Sequence, residues 1–265
     1  VVVTLTLWHD GPHDAPANMA RDAVLLERAA AGALPGTVLR LFTFAPAGIT
    51  LGRAQVATNE LDLARLERDG VRWATRPTGG RAIWHEEEWT FSLVTTLTPA
   101  GWAMTPAAAY ERTGRLLASA FQSLGVPAVL AAGGLRGPGA PRARAGAAPP
   151  CFASTARHEL VLEGRKLAGI AQRAVRGALL QQGSLLLGDA HARLADYMAV
   201  PDAEREALRA EWRRSAATAG ARLGADRSLD RLAAALIALL PDAELLRGEA
   251  GASALLTDAL PRRSP

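Results

Sequence analysis

Residues 158–187, "HELVLEGRKLAGIAQRAVRGALLQQGSLLL", leave the folding chain little choice. The run is rich in β-type pattern and is interrupted at Glu163-Gly164 and Arg176-Gly177. Such X-Gly pairs supply the positive-φ positions of tight hairpin turns, so the segment predicts three strands folded back on one another. An antiparallel sheet of this kind needs apolar cover, which helices elsewhere in the chain must provide.

The remaining pattern is consistent with that demand. "VTLTLW" near the start, then "VLRLFTF" and "GITLG" on either side of a Pro-Ala-Gly turn, read as strands. "NMARDAVLLERAAAG" has apolar residues at helical spacing and stops at Gly32. Asn59 is positioned to cap a short helix, "ELDLARLERD", that ends at Gly70. "VRWATRPTGGRAIWHEEEWTFSLVTTL" predicts consecutive strands joined through Gly79-Gly80, and Thr105-Pro106 opens a helix running to about Gly125. Residues 131–150 are low-complexity Gly, Pro, Ala and Arg and read as a mobile loop, because β pattern resumes directly afterwards. From about residue 190 the pattern is helical. The expected fold class is α+β: mostly antiparallel sheets flanked by helices, residues 1–195 forming the main domain and 196–265 a helical C-terminal segment packed on it.

Composition narrows the function classes. The 265 residues are 49% hydrophobic and 21% charged, with no apolar run long enough to span a bilayer and no basic-then-apolar leader. One cysteine rules out an internal disulfide, fits a reducing compartment and, with five scattered histidines, argues against a structural zinc site. The expected location is the cytoplasm. The net charge of +4 reflects arginines that mostly alternate with acids, with aromatics at 5%, a pattern unlike a nucleic-acid surface. "RGPGAPRAR" is the exception: Arg136, Arg142 and Arg144 without an acid between them suit the steering of an acidic protein partner.

Three groups of residues carry chemistry. In "RPTGGRAIWH" the two glycines let backbone amides approach a ligand, and Arg76 and Arg81 flank them as anion-binding candidates. The same stretch also reads as an ordinary hairpin turn, and His85 as a histidine satisfied by a backbone carbonyl. Cys151 and Lys166 form the second group. They are the chain's only thiol and only lysine among 30 basic residues. A lysine near a thiol favours the nucleophilic thiolate. In the third group, Gly169 and Ala171 of "LAGIAQ" put minimal side chains on one strand face, either beside a ligand or under a tightly packed helix.

Together these blocks resemble the lipoate and biotin protein ligase superfamily, most closely the octanoyltransferases of the LipM type. "NMARDAVLL", "ITLGRAQ", "RPTGGRAIWHEEEWTFS" and the run from Cys151 to Leu187 match in order, over roughly residues 17–190. The resemblance implies the biotin/lipoate ligase catalytic fold with a ligand tunnel along its sheet. It also implies transfer of octanoyl from acyl carrier protein to a lysine of a lipoyl-domain protein, such as an H protein or a dehydrogenase E2, in lipoate biosynthesis. Cys151 then falls on the nucleophile, Lys166 on the superfamily lysine, and Arg76, Thr78, Gly79, Gly80, Arg81 and His85 on the acyl-site motif, with Gly169, Ala171 and Gln172 on the following strand. No metal or cofactor is implied, and nucleic acid and membrane are not partners.

The chain departs from that pattern at Glu86, where aspartate is usual, and at Gln182, where histidine is usual. An ATP- and magnesium-dependent lipoate-protein ligase, an octanoyl amidotransferase between lipoyl domains, and a non-catalytic lipoyl-domain binder are the alternative readings. "GGR" in place of the ligases' "GGG" favours the transferase. The base for the second half-reaction is left open between His85 and a water.

Overall fold

The computed structural model describes residues 4–131 and 159–257. Strand β1 (Leu5–His13) runs into helix α1 (Ala15–Ala30), which is capped by the Asp14 carboxylate accepting from the Ala17 amide at 2.8 Å. Strands β2 (Thr37–Phe44) and β3 (Gly48–Leu51) follow. Two short helices, α2 (Ala57–Glu60) and α3 (Leu63–Arg68), replace the one expected there. Asn59 lies inside α2 and caps nothing; the chain is extended at Leu61 and the Asp62 carboxylate caps α3 instead, accepting from the Arg65 amide. Next come β4 (Arg72–Thr75), β5 (Ile83–His85), β6 (Glu88–Thr96) and α4 (Pro106–Ser123), the last opened by Thr105-Pro106 as its sequence predicts.

Six further strands and five α-helices complete the described chain. Strands β7 (Val129–Leu130), β8 (Leu160–Leu162), β9 (Arg165–Lys166), β10 (Ala168–Val175) and β11 (Ala178–Leu186) come first. Glu163, Gly164, Arg176 and Gly177 all have positive φ, which confirms both hairpin turns. The second predicted strand is divided at Leu167, so that β9 pairs with β8 while β10 pairs with β11. A 3₁₀ turn (Ala190–Arg193) leads into α5 (Leu194–Tyr197), α6 (Asp202–Ser215), α7 (Gly220–Leu223) and α8 (Leu229–Leu239). The C-terminal segment then contributes a strand as well, β12 (Glu244–Arg247), before α9 (Gly248–Leu256).

The main sheet has the order β10-β11-β6-β2-β1-β12. Six of the nine strand pairings among the described residues are antiparallel. The fold is therefore α+β and mostly antiparallel, with a parallel flank where β1 pairs with both β2 and β12. A second sheet, β4-β3-β5, corrects the expected hairpin through Gly79-Gly80. Strands β4 and β5 do not pair with each other. The crossover through α2 and α3 lays β4 parallel to β3, and β5 takes the free edge of β3. A third small sheet has the order β7-β8-β9.

Alternation divides the main sheet's side chains between two cores. Leu7, Leu39, Leu93 and Leu179 share a buried cluster with Phe121 of α4 and Leu232 of α8. Trp8, Val38, Val94 and Leu180 face the other way, onto Leu25 and Leu26 of α1 and Leu255 of α9. No helix among the described residues is long and apolar enough to cross a membrane.

A buried polar network crosses this second face. Arg40 on β2 is 0% exposed, and its guanidinium donates to Asp10 of β1 at 2.8 Å, to Asp22 of α1 at 2.8 Å and to Asn18 Oδ1 at 2.6 Å. Asp22 also accepts from Ser92 of β6 at 2.7 Å and from the Gln182 amide of β11 at 2.6 Å. Gln182 Oε1 in turn accepts from the Thr78 hydroxyl at 2.7 Å. One chain of hydrogen bonds, charge-assisted everywhere except the final Thr78–Gln182 link, thus joins four strands, a helix and the Gly79-Gly80 loop.

Two outcomes follow for stability. Arg40→Met strands the buried Asp22 carboxylate without its cation and leaves Asp10 the longer Arg21 contact at 3.4 Å, and should cost about 3–5 kcal/mol in urea unfolding. Gln182→Leu leaves the Thr78 hydroxyl and one Asp22 oxygen unpaired and should cost about 1–3 kcal/mol for each group so exposed. Adding Thr78→Val to Gln182→Leu should cost less than the sum of the two single changes, because both remove the same bond.

Candidate active site

The Gly79-Gly80 loop is held against the end of β3. The Arg76 amide donates to Leu51 O and the Arg53 amide to Thr78 O, each at 2.9 Å. A Cβ at Gly52 would lie 2.0 Å from Gly80 O, so the two backbones meet closely only because position 52 has no side chain. Gly80 itself has φ +95°, a conformation natural to glycine.

Arg76 is the loop's internal clamp. Its buried guanidinium donates to Gly79 O at 3.0 and 2.7 Å, to Arg81 O at 2.7 Å, and to Thr50 O and Oγ1 at 3.2 Å. Its donors are directed mainly at the loop's own carbonyls. Arg81 reaches away towards Glu60, with 3.9 Å between the charged atoms.

His85 is enclosed on three sides. Its ring stacks on Phe44 with centroids 3.9 Å apart. Nε2 lies 2.7 Å from Thr50 Oγ1 and Nδ1 lies 2.6 Å from Glu88 Oε1. Thr50 Oγ1 also accepts from Arg76, so the same hydroxyl ties the ring to the loop's clamp. Thr90 and Ser184 also donate to that glutamate oxygen, at 2.8 and 3.0 Å. Both imidazole nitrogens are thus occupied, and the ring forms a fixed wall.

A cavity opens beside this wall, between the glycine loop and strands β10 and β11. Met19, Phe42, Phe44, Ile83 and Ile170 supply its apolar lining, and Gly169 and Ala171 present minimal side chains to it. Arg76, Gly80, His85, Gln182 and Ser184 add polar edges, and Lys166 reaches it from β9. The Lys166 side chain is 6% exposed and its Nζ lies 2.6 Å from Glu159 Oε1.

The fold therefore brings Arg76, Gly80, His85, Lys166, Gly169 and Ala171 around one cavity. Thr78 is buried behind it, tied to Gln182, and Gly79 turns its carbonyl to Arg76. Gln172 is not part of the lining: its amide donates to Pro106 O at the start of α4. Cys151 lies outside the described residues, as do Arg136, Arg142 and Arg144. Sequence reasoning assigned no role to Glu159, Gln182 or the apolar lining. Met19 and Phe42 carry no signal distinguishing them from core. Gln182 does carry one, as a polar residue inside a largely apolar strand, and the structure buries it.

Comparison with known proteins bears on the family and the fold. The family described as Lipoyl protein ligase A/B catalytic domain matches residues 14–239. Octanoyltransferase LipM of Kyrpidia tusciae is 34% identical over 234 residues, covering 88% of this chain and 84% of that protein. Octanoyltransferase LipM of Symbiobacterium thermophilum is 35% identical over 224 residues, covering 82% and 78%. Among solved structures, a bi-partite lipoate protein ligase from Thermoplasma acidophilum superposes with a TM-score of 0.65 at 18% identity, covering 92% of this chain and 86% of that one. A lipoate-protein ligase A bound with ATP gives 0.63, also at 18% identity, covering 93% and 88%. These structural likenesses speak for the fold, and the sequence matches for the family: the chain belongs to the lipoyl protein ligase A/B catalytic domain family.

Proposed function

We propose that the protein is an octanoyltransferase of lipoate biosynthesis that moves an octanoyl group from acyl carrier protein to a lysine of a lipoyl domain through an acyl-cysteine at Cys151. The observation that carries this reading is an apolar cavity with the chain's only lysine on its wall, in a sequence whose relatives are named octanoyltransferases. Each buried methylene contributes about 0.8 kcal/mol, so an eight-carbon chain in this cavity gains roughly 5 kcal/mol. Cys151 thiolate attacks the thioester carbonyl, and the carrier's thiolate leaves. The Lys166 ammonium supports the oxyanion that forms between these events, the kind of contribution that usually dominates acyl transfer. The acceptor amine, having lost a proton to solvent, then attacks the acyl-cysteine, and Cys151 thiolate departs. His85 holds the cavity wall in this scheme, its nitrogens being committed to Thr50 and Glu88. The reaction needs neither ATP nor a metal and takes place in the cytoplasm.

Mass spectrometry after incubation with octanoyl acyl carrier protein, without ATP, should show one hydroxylamine-sensitive octanoyl adduct on Cys151. Cys151→Ala should abolish both the adduct and transfer to a lipoyl domain. Undiminished transfer in Cys151→Ala, or activity only with free acid, ATP and magnesium, would identify a ligase instead.

The lysine gives a second check. Arginine is wider and fixed in its fork geometry, so Lys166→Arg should fold normally yet lose transfer by about 10²-fold or more, the scale of losing one oxyanion donor. Near-normal turnover in Lys166→Arg would remove the oxyanion role from this residue.

A further inference from the structure

We infer that Glu159 is a positioning residue for Lys166: its carboxylate fixes the ammonium at one point on the cavity wall. The inference builds on the transferase reading but concerns a contact independent of it.

The two side chains meet across a hairpin whose backbone leaves them little freedom. Glu159 immediately precedes β8, Lys166 lies on β9, and Lys166 is opposite Val161 in the ladder. Glu159 O accepts from the Ala131 amide at 2.9 Å, Leu160 O from the Leu167 amide at 2.9 Å, and Lys166 O from the Ala217 amide at 2.8 Å. Between these fixed backbones the side chains are 7% and 6% exposed and approach to 2.6 Å.

Burial makes this contact consequential. An ammonium taken from water without a countercharge tends to shed its proton, whereas a carboxylate in contact favours the charged form. Lysine's four-carbon stem is flexible, so Nζ position is set by whatever grips it. Glu159 engages one of the three ammonium donors and so orients the rest. The same carboxylate acts on a second neighbour: burial first, and then the negative charge of Glu159, push the Tyr110 phenol of α4 above its ordinary range, so Tyr110 stays neutral beside the pair.

The chain's composition makes the test clean. Lys166 is the only lysine, so every side-chain adduct of an amine reagent reports on it alone. Trinitrobenzenesulfonate labelling, read by mass spectrometry on the Lys166 peptide, should be about 10-fold faster or more in Glu159→Gln, because the neutral amine is the reactive form. Octanoyl transfer should lose about 10²-fold in kcat, the scale of a roughly 1 Å misplacement, with KM little changed. Glu159→Asp keeps the charge and should keep Lys166 protected while recovering part of kcat. Leu232→Ala, a buried core change on α8, should lower stability and leave both kcat and labelling unmoved.

Wild-type labelling rate and kcat in folded Glu159→Gln would overturn the inference. If Glu159→Gln does not fold, Glu159→Asp decides, since rapid labelling with the charge retained would also overturn it. A wild-type protein that transfers no octanoyl sinks the transferase reading, while the labelling arm still judges Glu159 by itself.

Discussion

Arg40 is the point through which the sheet, its covering helix and the active-site loop are joined. It sits on a central strand with no exposure to solvent, and it grips one carboxylate from β1 and one from α1. An isolated buried guanidinium would be too costly to keep, and so would either aspartate alone. Together, with Asn18, Ser92 and Gln182 satisfying the remaining polar atoms, they become a fixed junction. The guanidinium also lies 3.9 Å above the Phe42 ring, so the same residue ties the polar junction to the apolar cavity lining. Register is set here as much as by alternation, because a slip of one residue in β2 would carry Arg40 into the apolar core on the opposite face.

The consequence for chemistry is a stiff loop. Gly79-Gly80 could move freely as a bare pair of glycines, yet Arg76 binds its carbonyls from inside and Thr78 is held through Gln182 to the Arg40 junction. His85 is fixed in the same manner by Thr50, Glu88 and Phe44. The residues that look most like ligand-binding groups are therefore largely engaged with one another. What the cavity offers a substrate is chiefly apolar surface, with the Lys166–Glu159 ion pair at its wall. That division suits an acyl chain, whose recognition rests on burial and close fit and not on many hydrogen bonds.

The acyl-site motif shows how a correct local reading can still misplace a side chain. "RPTGGR" was legible as a turn with two flanking arginines, but the two turn in opposite directions, one into the loop and the other towards α2. The glycines looked like a hairpin because hairpins are the commonest use of such pairs. Strand β3 instead stands between β4 and β5, an arrangement set by the crossover through α2 and α3. Gln172, three residues beyond Gly169 and directly after Ala171 in the alternation, reaches α4 and not the cavity. Glu159 gave no sign of itself, since a glutamate at the edge of a strand is usually solvated.

By itself the sequence determined what depends on near neighbours: the helix start at Thr105-Pro106, the turns at Glu163-Gly164 and Arg176-Gly177, and the alternation of the long strands. Capping, turn chemistry and side-chain period act over a few residues, so they are written locally. Its composition also singled out Lys166, a lone lysine among arginines. Only the tertiary structure decided that β12 adds a parallel edge to β1, that Gln182 bridges Asp22 and Thr78, and that Glu159 meets Lys166. The first two of these contacts join residues distant in sequence, and the third spans a hairpin diagonally. Their energies appear only once the surrounding side chains have excluded water and made an unpaired charge or amide costly.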